Sequence, residues 1–129
     1  DMAEKIYNFI FNNPNLPEDL VPYWDFDAPN IPNEPRDVSA AACTASALYE
    51  LSTYIPGKNY KETADKIMEN LASPAYRAEV GTNGNFILMH SVGSIPHGAE
   101  IDVPLNYADY YFLEGIMRKR DLESNKKLF

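Results

Sequence analysis

The chain has 129 residues, a formal net charge of −8 at pH 7 and a sequence pI near 4.6. This length suits one domain, and the 45% hydrophobic and 23% charged content is typical of a globular chain rather than a disordered one. The acidic balance argues against nucleic acid or an anionic membrane as partner, because such surfaces need many Lys and Arg. The one basic cluster, Arg118-Lys119-Arg120 with Lys126-Lys127, is interpreted as a solvated helix end. No apolar run approaches the roughly 20 residues of a membrane span.

Apolar residues that recur every three or four positions predict two helices in the first half of the chain. The first covers residues 1–11, with Met2, Ile6, Phe9 and Ile10 on one stripe. The second begins after Asp37 or Ser39, either of which can cap it, and ends before Pro56-Gly57. This second helix is apolar almost all round in its first two turns, which indicates burial inside a larger assembly.

Two further helices and a β-hairpin are predicted in the second half. Asn59 and Glu62 resemble a capping box at the start of the third helix, and the fourth runs over about 105–120. The apolar spacing of the third helix predicts an inward stripe of Ala64, Ile67, Met68 and Leu71. Between them, Asn83-Gly84 is a typical tight-turn sequence, which predicts a short hairpin over 77–89.

The stretch from Val21 to Ala42 is a long irregular loop leading into the second helix. It places three aromatic and two acidic residues in five consecutive positions, among them Tyr23, Trp24 and Asp25, and it contains four prolines. Aromatic faces beside polar side chains suit sugars, whose C–H faces stack on rings while their hydroxyls form hydrogen bonds. Trp24 is the best stacking candidate; an anchor that holds the loop on the core is an equal alternative.

Polar side chains near this loop and in the segment 90–104 complete the predicted site. Arg36 could hold a carboxylate through its two-nitrogen fork. The alternative, which we favour, is an ion pair within the chain to one of three acids, namely Asp27, Glu34 or Asp37. His90 and His97 flank Ser91 and Ser94, so this segment offers four donors to an anionic or hydroxyl-rich ligand. For each histidine alone, we favour a structural role.

Other chemical signatures are incomplete. The acidic run at 25–30 imitates a calcium loop, but it lacks glycine at the sixth position and has Arg36 at the twelfth. Two histidines and a distant cysteine form no zinc pattern, and no phosphate loop or Gly-x-Ser-x-Gly elbow is present around Ser91 or Ser94. Cys43 lies in an alanine run and is interpreted as a small buried residue. These incomplete patterns give no positive sign of a metal site or of an acyl-transfer nucleophile.

Two stretches carry a family resemblance: PYWDFDAPNIPNEPRDVSAAA at 22–42 and HSVGSIPHGAEIDVPLNYADYYFLE at 90–114. With the helices between them, they resemble the C-terminal third of unsaturated glucuronyl hydrolases, which are similar to glycoside hydrolase family 88. The resemblance implies a mainly α fold, a partial (α/α)6 barrel made of helical hairpins with one short β-hairpin. Residues 1–129 would then be a single domain or a fragment, and the N-terminal part of the same barrel, if present, would cover the helices that look over-buried.

The resemblance also implies a reaction. These hydrolases remove 4,5-unsaturated glucuronic acid from lyase-generated oligosaccharides by hydrating the enol-ether double bond, with an aspartic acid as proton donor and no cofactor. The family's catalytic aspartates lie upstream of anything matched here, so no residue of this chain is expected to be catalytic. The chain would supply one wall of the pocket for an unsaturated uronic-acid oligosaccharide, with eight candidate contacts: Tyr23, Trp24, Asp25, Arg36, His90, Ser91, Ser94 and His97.

Three interpretations stay open. The first is the glucuronyl hydrolase; the second is a related unsaturated rhamnogalacturonyl hydrolase; the third is a non-catalytic carbohydrate-binding module. The resemblance also extends to a motif: some family members that favour sulfated substrates have Ser-x-x-Ser-x-Lys in this region. Here Ser91 and Ser94 match the two serines, but Pro96 stands in the lysine position, which puts a preference for sulfated substrates in doubt. A bacterial cytoplasm or periplasm is the expected compartment.

Overall fold

The fold, seen in a computed structural model that describes residues 2–125, is mainly helical with one two-stranded sheet. The elements, in chain order, are α1 Met2–Phe11, α2 Val38–Tyr54, α3 Tyr60–Leu71, β1 Ser91–Ser94, β2 Ala99–Val103 and α4 Asn106–Glu123. The predicted mainly helical class with one short two-stranded hairpin is confirmed, although the hairpin lies at another position in the chain. Each predicted helix is present, and α4 extends three residues further than the sequence indicated. None of the helices described is long and apolar enough to cross a membrane.

Helix α2 is the centre of the core, packed between α3 and α4. Its small residues Ala41, Ala42 and Ala45 are fully or almost fully buried, which lets its neighbours approach closely. Opposite them, α3 buries Ile67 and Leu71 completely, as the helical spacing predicted. Tight packing of small against large side chains therefore holds these three helices together.

A polar cluster at the border of the apolar core ties the same three helices together. The carboxylate of Asp65 on α3 accepts a hydrogen bond from the Tyr49 hydroxyl of α2 at 2.8 Å. It also pairs with the ammonium of Lys61 at 2.7 Å and with that of Lys119 on α4 at 3.0 Å. We call these four residues the helical charge cluster. The Asp65 carboxylate oxygens thus accept from donors on all three helices, which compensates for the partial burial of the negative charge.

The basic end of α4 is not the solvated surface that the sequence indicated. The Arg118 side chain is only 18% exposed; its Nη1 donates to the Ser46 carbonyl at 2.9 Å and its Nη2 pairs with Glu50 at 2.9 Å. Arg120 is 61% exposed, as predicted, and Lys126-Lys127 lie outside the described residues. Arg118 is largely covered because α4 packs closely enough against α2 for this side chain to reach that helix.

The N-terminal caps agree with prediction in one helix and differ in another. Asp37 caps α2, since its Oδ1 accepts hydrogen bonds from the Ser39 amide at 3.0 Å and the Ser39 hydroxyl at 2.6 Å. The same oxygen accepts from the Val92 amide at 3.3 Å and so attaches strand β1 to the start of α2. Asn59 lies at the cap of α3, but its side chain makes no capping hydrogen bond, so the predicted capping box is wrong.

The hairpin lies later in the chain than predicted. Strands β1 and β2 pair antiparallel within the segment 90–104, whereas Asn83-Gly84 belongs to a 3-10 turn flanked by a single bridge between Arg77 and Leu88. The reason is a competing acceptor. The Asp109 carboxylate of α4 accepts from the amides of Ile87 at 2.8 Å and Leu88 at 2.9 Å. The Ile87 carbonyl accepts from the Ala78 amide at 2.9 Å, but the Ile87 amide is held by Asp109 and does not return that bond, so the pairing does not extend into a ladder.

Two helices leave apolar faces open. On α1, Met2, Ile6 and Phe9 are 69%, 52% and 65% exposed, and no residue of this helix is buried. A groove of about 560 Å³ runs between α1 and α2. Cys43 lines this groove and is exposed, so the prediction of a buried cysteine is wrong: it lies on an open side of α2, between the groove and residues of α4. On α4, Tyr110, Leu113 and Met117 are similarly exposed.

Candidate functional site

The proline-rich loop and the hairpin segment meet at the start of α2. Within the loop, Tyr23 and Arg36 form an isolated antiparallel bridge, and the Trp24 amide donates to the Pro35 carbonyl at 3.0 Å. The Val38 amide at the first turn of α2 donates to the His90 carbonyl at 3.1 Å. The two stretches that carry the predicted contacts are therefore adjacent in space, although Val38 and His90 are 52 positions apart in the chain.

A cleft of about 530 Å³ lies where they meet. Its walls combine carboxylates, a guanidinium, an amide, an imidazole and a phenol ring. The lining residues are Asn33, Glu34, Pro35, Arg36, Ala75, Tyr76, His90 and Asp102. The structure thus brings Arg36 and His90 together as predicted, and it adds Glu34, Tyr76 and Asp102 to the site.

Arg36 pairs within the chain, as we favoured, but with an acid that the sequence did not single out. Its Nη1 donates to Asp19 Oδ1 at 2.9 Å, to the Val21 carbonyl at 2.6 Å and to the Tyr76 hydroxyl at 3.3 Å. Its guanidinium carbon lies 4.7 Å from the centre of the buried Tyr23 ring, a cation–π contact. The Tyr76 hydroxyl donates in turn to Asp19 Oδ2. We call Asp19, Arg36 and Tyr76 the arginine clamp.

The charges of the clamp support one another. Burial by itself would raise the pKa of Asp19, but hydrogen bonds from Tyr76, the Val21 amide and Arg36 outweigh it and hold that pKa below its usual value. Burial would likewise lower the pKa of Arg36, yet the hydrogen bond to Asp19 raises it. Burial and the hydrogen bond to Asp19 raise the pKa of Tyr76. The clamp is therefore an anion and a cation joined by a neutral phenol.

Trp24 is half-buried and its indole nitrogen is occupied. Nε1 donates to Glu34 Oε2 at 2.8 Å, and the other oxygen of Glu34 accepts from the Asn30 amide at 2.9 Å. The hydrogen bond from Trp24 is the main reason why the pKa of Glu34 is lowered. The indole also lines a small cavity of about 180 Å³ with Phe11 and Ala41. These contacts favour the loop anchor over the stacking platform.

None of the remaining candidates lines the cleft. Asp25 is exposed, and its Oδ1 accepts from the Asp27 amide at 2.7 Å within a turn. Ser91 is fully buried, and among the residues described its hydroxyl has no hydrogen-bond partner. Ser94 and His97 form an exposed pair at the hairpin end, with 2.7 Å between Oγ and Nδ1.

His90 is held at the cleft by two contacts. Its Nδ1 lies 2.6 Å from Asp102 Oδ1, and its ring meets the Tyr76 ring edge-on with 6.4 Å between centroids. Both His90 and Asp102 line the cleft and are about half exposed. The pair offers both donor and acceptor positions to a ligand.

Backbone strain concentrates around this site. Left-handed conformations at non-glycine residues cost about 1–2 kcal/mol, and asparagine tolerates them best. Apart from three asparagines, four described residues adopt them: Leu20 (φ 62°), His90 (φ 69°), Glu100 (φ 54°) and Asp102 (φ 53°). Two of the four line the cleft, Leu20 lies between two acceptors of Arg36, and Glu100 lies two residues from Asp102 in strand β2. Strain that a fold retains at one place points to a function there.

Within residues 2–125, no group of three His, Cys, Asp or Glu side chains could hold a metal ion. Sequence reasoning missed Asp19 and Tyr76, because both reach Arg36 from distant irregular segments. No pattern of spacing links such residues. Asp102 carried a weak signal, since it lies in the same glycine- and histidine-bearing segment as His90.

No protein-family model matches the chain. Among curated proteins, it is 49% identical to an unsaturated glucuronyl hydrolase of Formosa agariphila, over 93% of this chain and 30% of that protein. It is 31% identical to an unsaturated chondroitin disaccharide hydrolase of Streptococcus agalactiae, over 86% of this chain and 28% of that protein. The chain therefore spans about a third of the length of the curated relatives it matches.

Solved structures agree in fold and in extent. A crystal structure of an unsaturated glucuronyl hydrolase specific for heparin superposes with a TM-score of 0.91 at 49% identity, over 95% of this chain and 33% of that one. A mutant unsaturated glucuronyl hydrolase from Streptococcus agalactiae, complexed with dGlcA-GalNAc6S, gives 0.73 at 30% identity, over 84% and 30%.

The helices and the hairpin thus correspond to part of a helical-barrel glycoside hydrolase. More particularly, the chain is similar over nearly its whole length to a segment of the unsaturated glucuronyl hydrolases, which confirms the resemblance drawn from the two motifs.

Proposed function

We propose that this chain is part of an unsaturated glucuronyl hydrolase and forms one wall of its sugar pocket. The observation that carries the proposal is the cleft in which the two family-like stretches meet, on a fold that superposes closely on such an enzyme. The whole enzyme would remove 4,5-unsaturated glucuronic acid from oligosaccharides. Water adds across the enol-ether double bond, and the resulting hemiketal collapses to release the neighbouring sugar.

The chemistry of the cleft suits a hydroxyl-rich ligand. Glu34 and Asp102 can accept hydrogen bonds from sugar hydroxyls, Arg36 and Asn33 can donate to them, and the Tyr76 ring offers an apolar face. The positive charge of Arg36 is already met by Asp19, so a carboxylate of the substrate would find little uncompensated charge here. We therefore place an uncharged part of the sugar in this cleft. The disaccharide complex of the Streptococcus agalactiae relative supports a ligand of this class.

The chain supplies no catalytic aspartate in this proposal. Asp25 is folded into an exposed turn and Asp37 accepts three hydrogen bonds at the cap of α2, so neither carboxylate points into the cleft. The proton donor would come from the other two thirds of the enzyme. With Ser91 buried and Ser94 paired with His97, the serines give no support to a preference for sulfated substrates.

The N-terminal part of the same barrel is the partner we propose for the exposed faces. The groove between α1 and α2 and the open side of α4 present apolar side chains that a further layer of helices would bury. The relatives are about three times as long as the matched segment, which leaves ample chain for such a layer.

A turnover assay on an unsaturated glucuronyl disaccharide tests the proposal, with loss of the enol's ultraviolet absorbance as readout. We expect no turnover by the 129 residues alone. Turnover should be recovered when they are co-expressed with the Formosa agariphila relative from which the matching third has been removed. The truncated relative alone is the control. Turnover by the chain alone would show that it carries catalytic groups. A stable monomer that binds the disaccharide but never complements would instead favour a carbohydrate-binding module.

A further inference from the structure

Arg36 uses only one side of its guanidinium for the protein. Within the part of the chain described here, every hydrogen bond of its side chain runs through Nη1, to Asp19, Val21 and Tyr76. The side chain nevertheless lines the cleft and is 27% exposed. A guanidinium is planar and has its remaining donors, Nε and Nη2, on another edge. That edge is the part of Arg36 left for the cleft.

The side of Arg36 that faces the protein is bound by Asp19, which is itself held by several hydrogen bonds. Asp19 accepts from the Tyr76 hydroxyl and from the Val21 amide at 3.1 Å, while its own carbonyl accepts from Asn70 Nδ2 at 2.6 Å. Between Asp19 and Val21, Leu20 is held in the left-handed region at φ 62°. This kink places a carboxylate and a carbonyl oxygen side by side, both within reach of one nitrogen of Arg36.

We propose that Asp19 and Tyr76 are positioning residues: by holding Nη1, they direct the Nε and Nη2 edge of Arg36 toward a hydroxyl oxygen of a sugar in the cleft. This inference rests on the proposed function, because it assumes that the cleft binds a sugar. It adds two residues that the family-like motifs do not contain. Neither residue reacts with the substrate; each acts through Arg36.

A purely structural clamp is the competing explanation, and the chain offers a control for it. The helical charge cluster has the same chemistry, with Asp65 accepting from a tyrosine hydroxyl and from two cations. It lies outside the cleft, and none of its four residues has left-handed backbone. Asp65→Asn therefore removes a comparable charge from the fold without touching the site.

The experiment measures the dissociation constant of the 129-residue chain for an unsaturated glucuronyl hexosamine disaccharide by calorimetry. Arg36→Gln is expected to weaken binding about tenfold, the effect of one hydrogen bond from a charged group. Asp19→Asn should approach that loss, Tyr76→Phe should lose about threefold, and Asp65→Asn should stay within about twofold. The double variant Asp19→Asn/Arg36→Gln should bind no more weakly than Arg36→Gln alone.

A second readout follows the Arg36 side chain directly. In nitrogen-labelled protein, the disaccharide should shift the Nε–H resonance of Arg36, and Asp19→Asn should abolish this shift while ligand shifts at other cleft residues remain. Wild-type binding in Asp19→Asn, or equal losses from Asp19→Asn in both Arg36 backgrounds, would overturn the positioning role and leave the proposed function standing. No binding by the wild-type chain would overturn the sugar cleft and this inference with it.

Discussion

Two clusters of similar chemistry hold two different parts of this molecule: in each, an aspartate accepts from a tyrosine hydroxyl and pairs with basic side chains, two lysines in one cluster and one arginine in the other. The helical charge cluster joins regular elements: Lys61 and Asp65 are four residues apart on α3, a spacing that places them on one helix face. The arginine clamp joins irregular segments, with Asp19 and Tyr76 57 residues apart. The first stabilises a core and the second borders a cleft.

The difference lies in what surrounds each cluster. Around Asp65, packed helices fix the side chains and the backbone adopts ordinary conformations. Around Arg36, the loops contain residues with strained left-handed backbone, such as Leu20 and His90. The free-energy cost of this strain has to be offset by the rest of the fold. We conclude that the helical layer supplies the stability with which the loop-built cleft is held in shape.

The largest expected effect comes from breaking the helical layer. Ile67→Ala removes a fully buried side chain from α3 and should lower the free energy of unfolding by about 2–5 kcal/mol. Urea denaturation of the purified chain measures it. Val80→Ala is the control, since Val80 is fully exposed and should change stability by less than about 0.5 kcal/mol. Equal effects of the two substitutions would contradict this core.

Acid should weaken both clusters together. Burial raises the pKa of Asp65 and of Asp19, but hydrogen bonds from their partners outweigh burial and leave both pKa values lowered. In the range between the lowered folded pKa and the unfolded value of about 3.9, the unfolded chain binds more protons. The stability that these groups contribute is thus present above about pH 4 and is lost as the pH falls through the folded pKa values.

Asparagine variants separate the two contributions. Asp65→Asn and Asp19→Asn should each cost about 1.5–3 kcal/mol at neutral pH, the range for hydrogen bonds to a charged group. Each should also flatten the fall of stability between pH 5 and pH 3, measured by urea denaturation at about half-unit intervals. An unchanged pH dependence in both variants would mean that other carboxylates control acid unfolding.

A substitution in the β1–β2 hairpin measures how tightly its two strands are packed. A β-carbon on Gly93 would lie 2.8 Å from the Glu100 β-carbon and 2.0 Å from its carboxylate oxygen, so Gly93→Ala should cost about 1–3 kcal/mol. Adding Glu100→Gly removes that side chain and relieves its left-handed strain, and should restore most of the loss. Thermal unfolding of the single and double variants measures this. No recovery in the double variant would place the clash elsewhere.

The smallest expected effect is on the open groove. Ile6 is 52% exposed on α1, so Ile6→Ser should change the unfolding free energy by no more than about 0.5 kcal/mol. The same substitution should impair complementation with the truncated relative, if the missing helices cover this face. Denaturation and the turnover assay, run on the same preparation, separate the two effects. Full complementation by the variant would show that the groove is not the contact.

Most of the fold could be predicted, because helical periodicity is a local signal. The stripe of α3 and the cap of α2 at Asp37 are visible in short windows of sequence, and both are confirmed. The hairpin over 77–89 was misplaced because Asp109, more than 20 residues away, takes the Ile87 amide that a strand partner would need. Cys43 was misjudged for a related reason: an alanine run does not show which side of α2 is covered.

The sequence by itself determined the helices and the family-like motifs, and the resemblance of those motifs led us to expect Arg36 and His90 on one wall; both line the same cleft. Only the tertiary structure decided which acid meets Arg36, that Trp24 is tied to Glu34, and that Ser91 is buried. The physical reason is the distance along the chain over which the interacting residues are separated. Helix formation depends on neighbours three or four residues away, whereas the partners in the cleft come from segments whose separation along the chain follows no period.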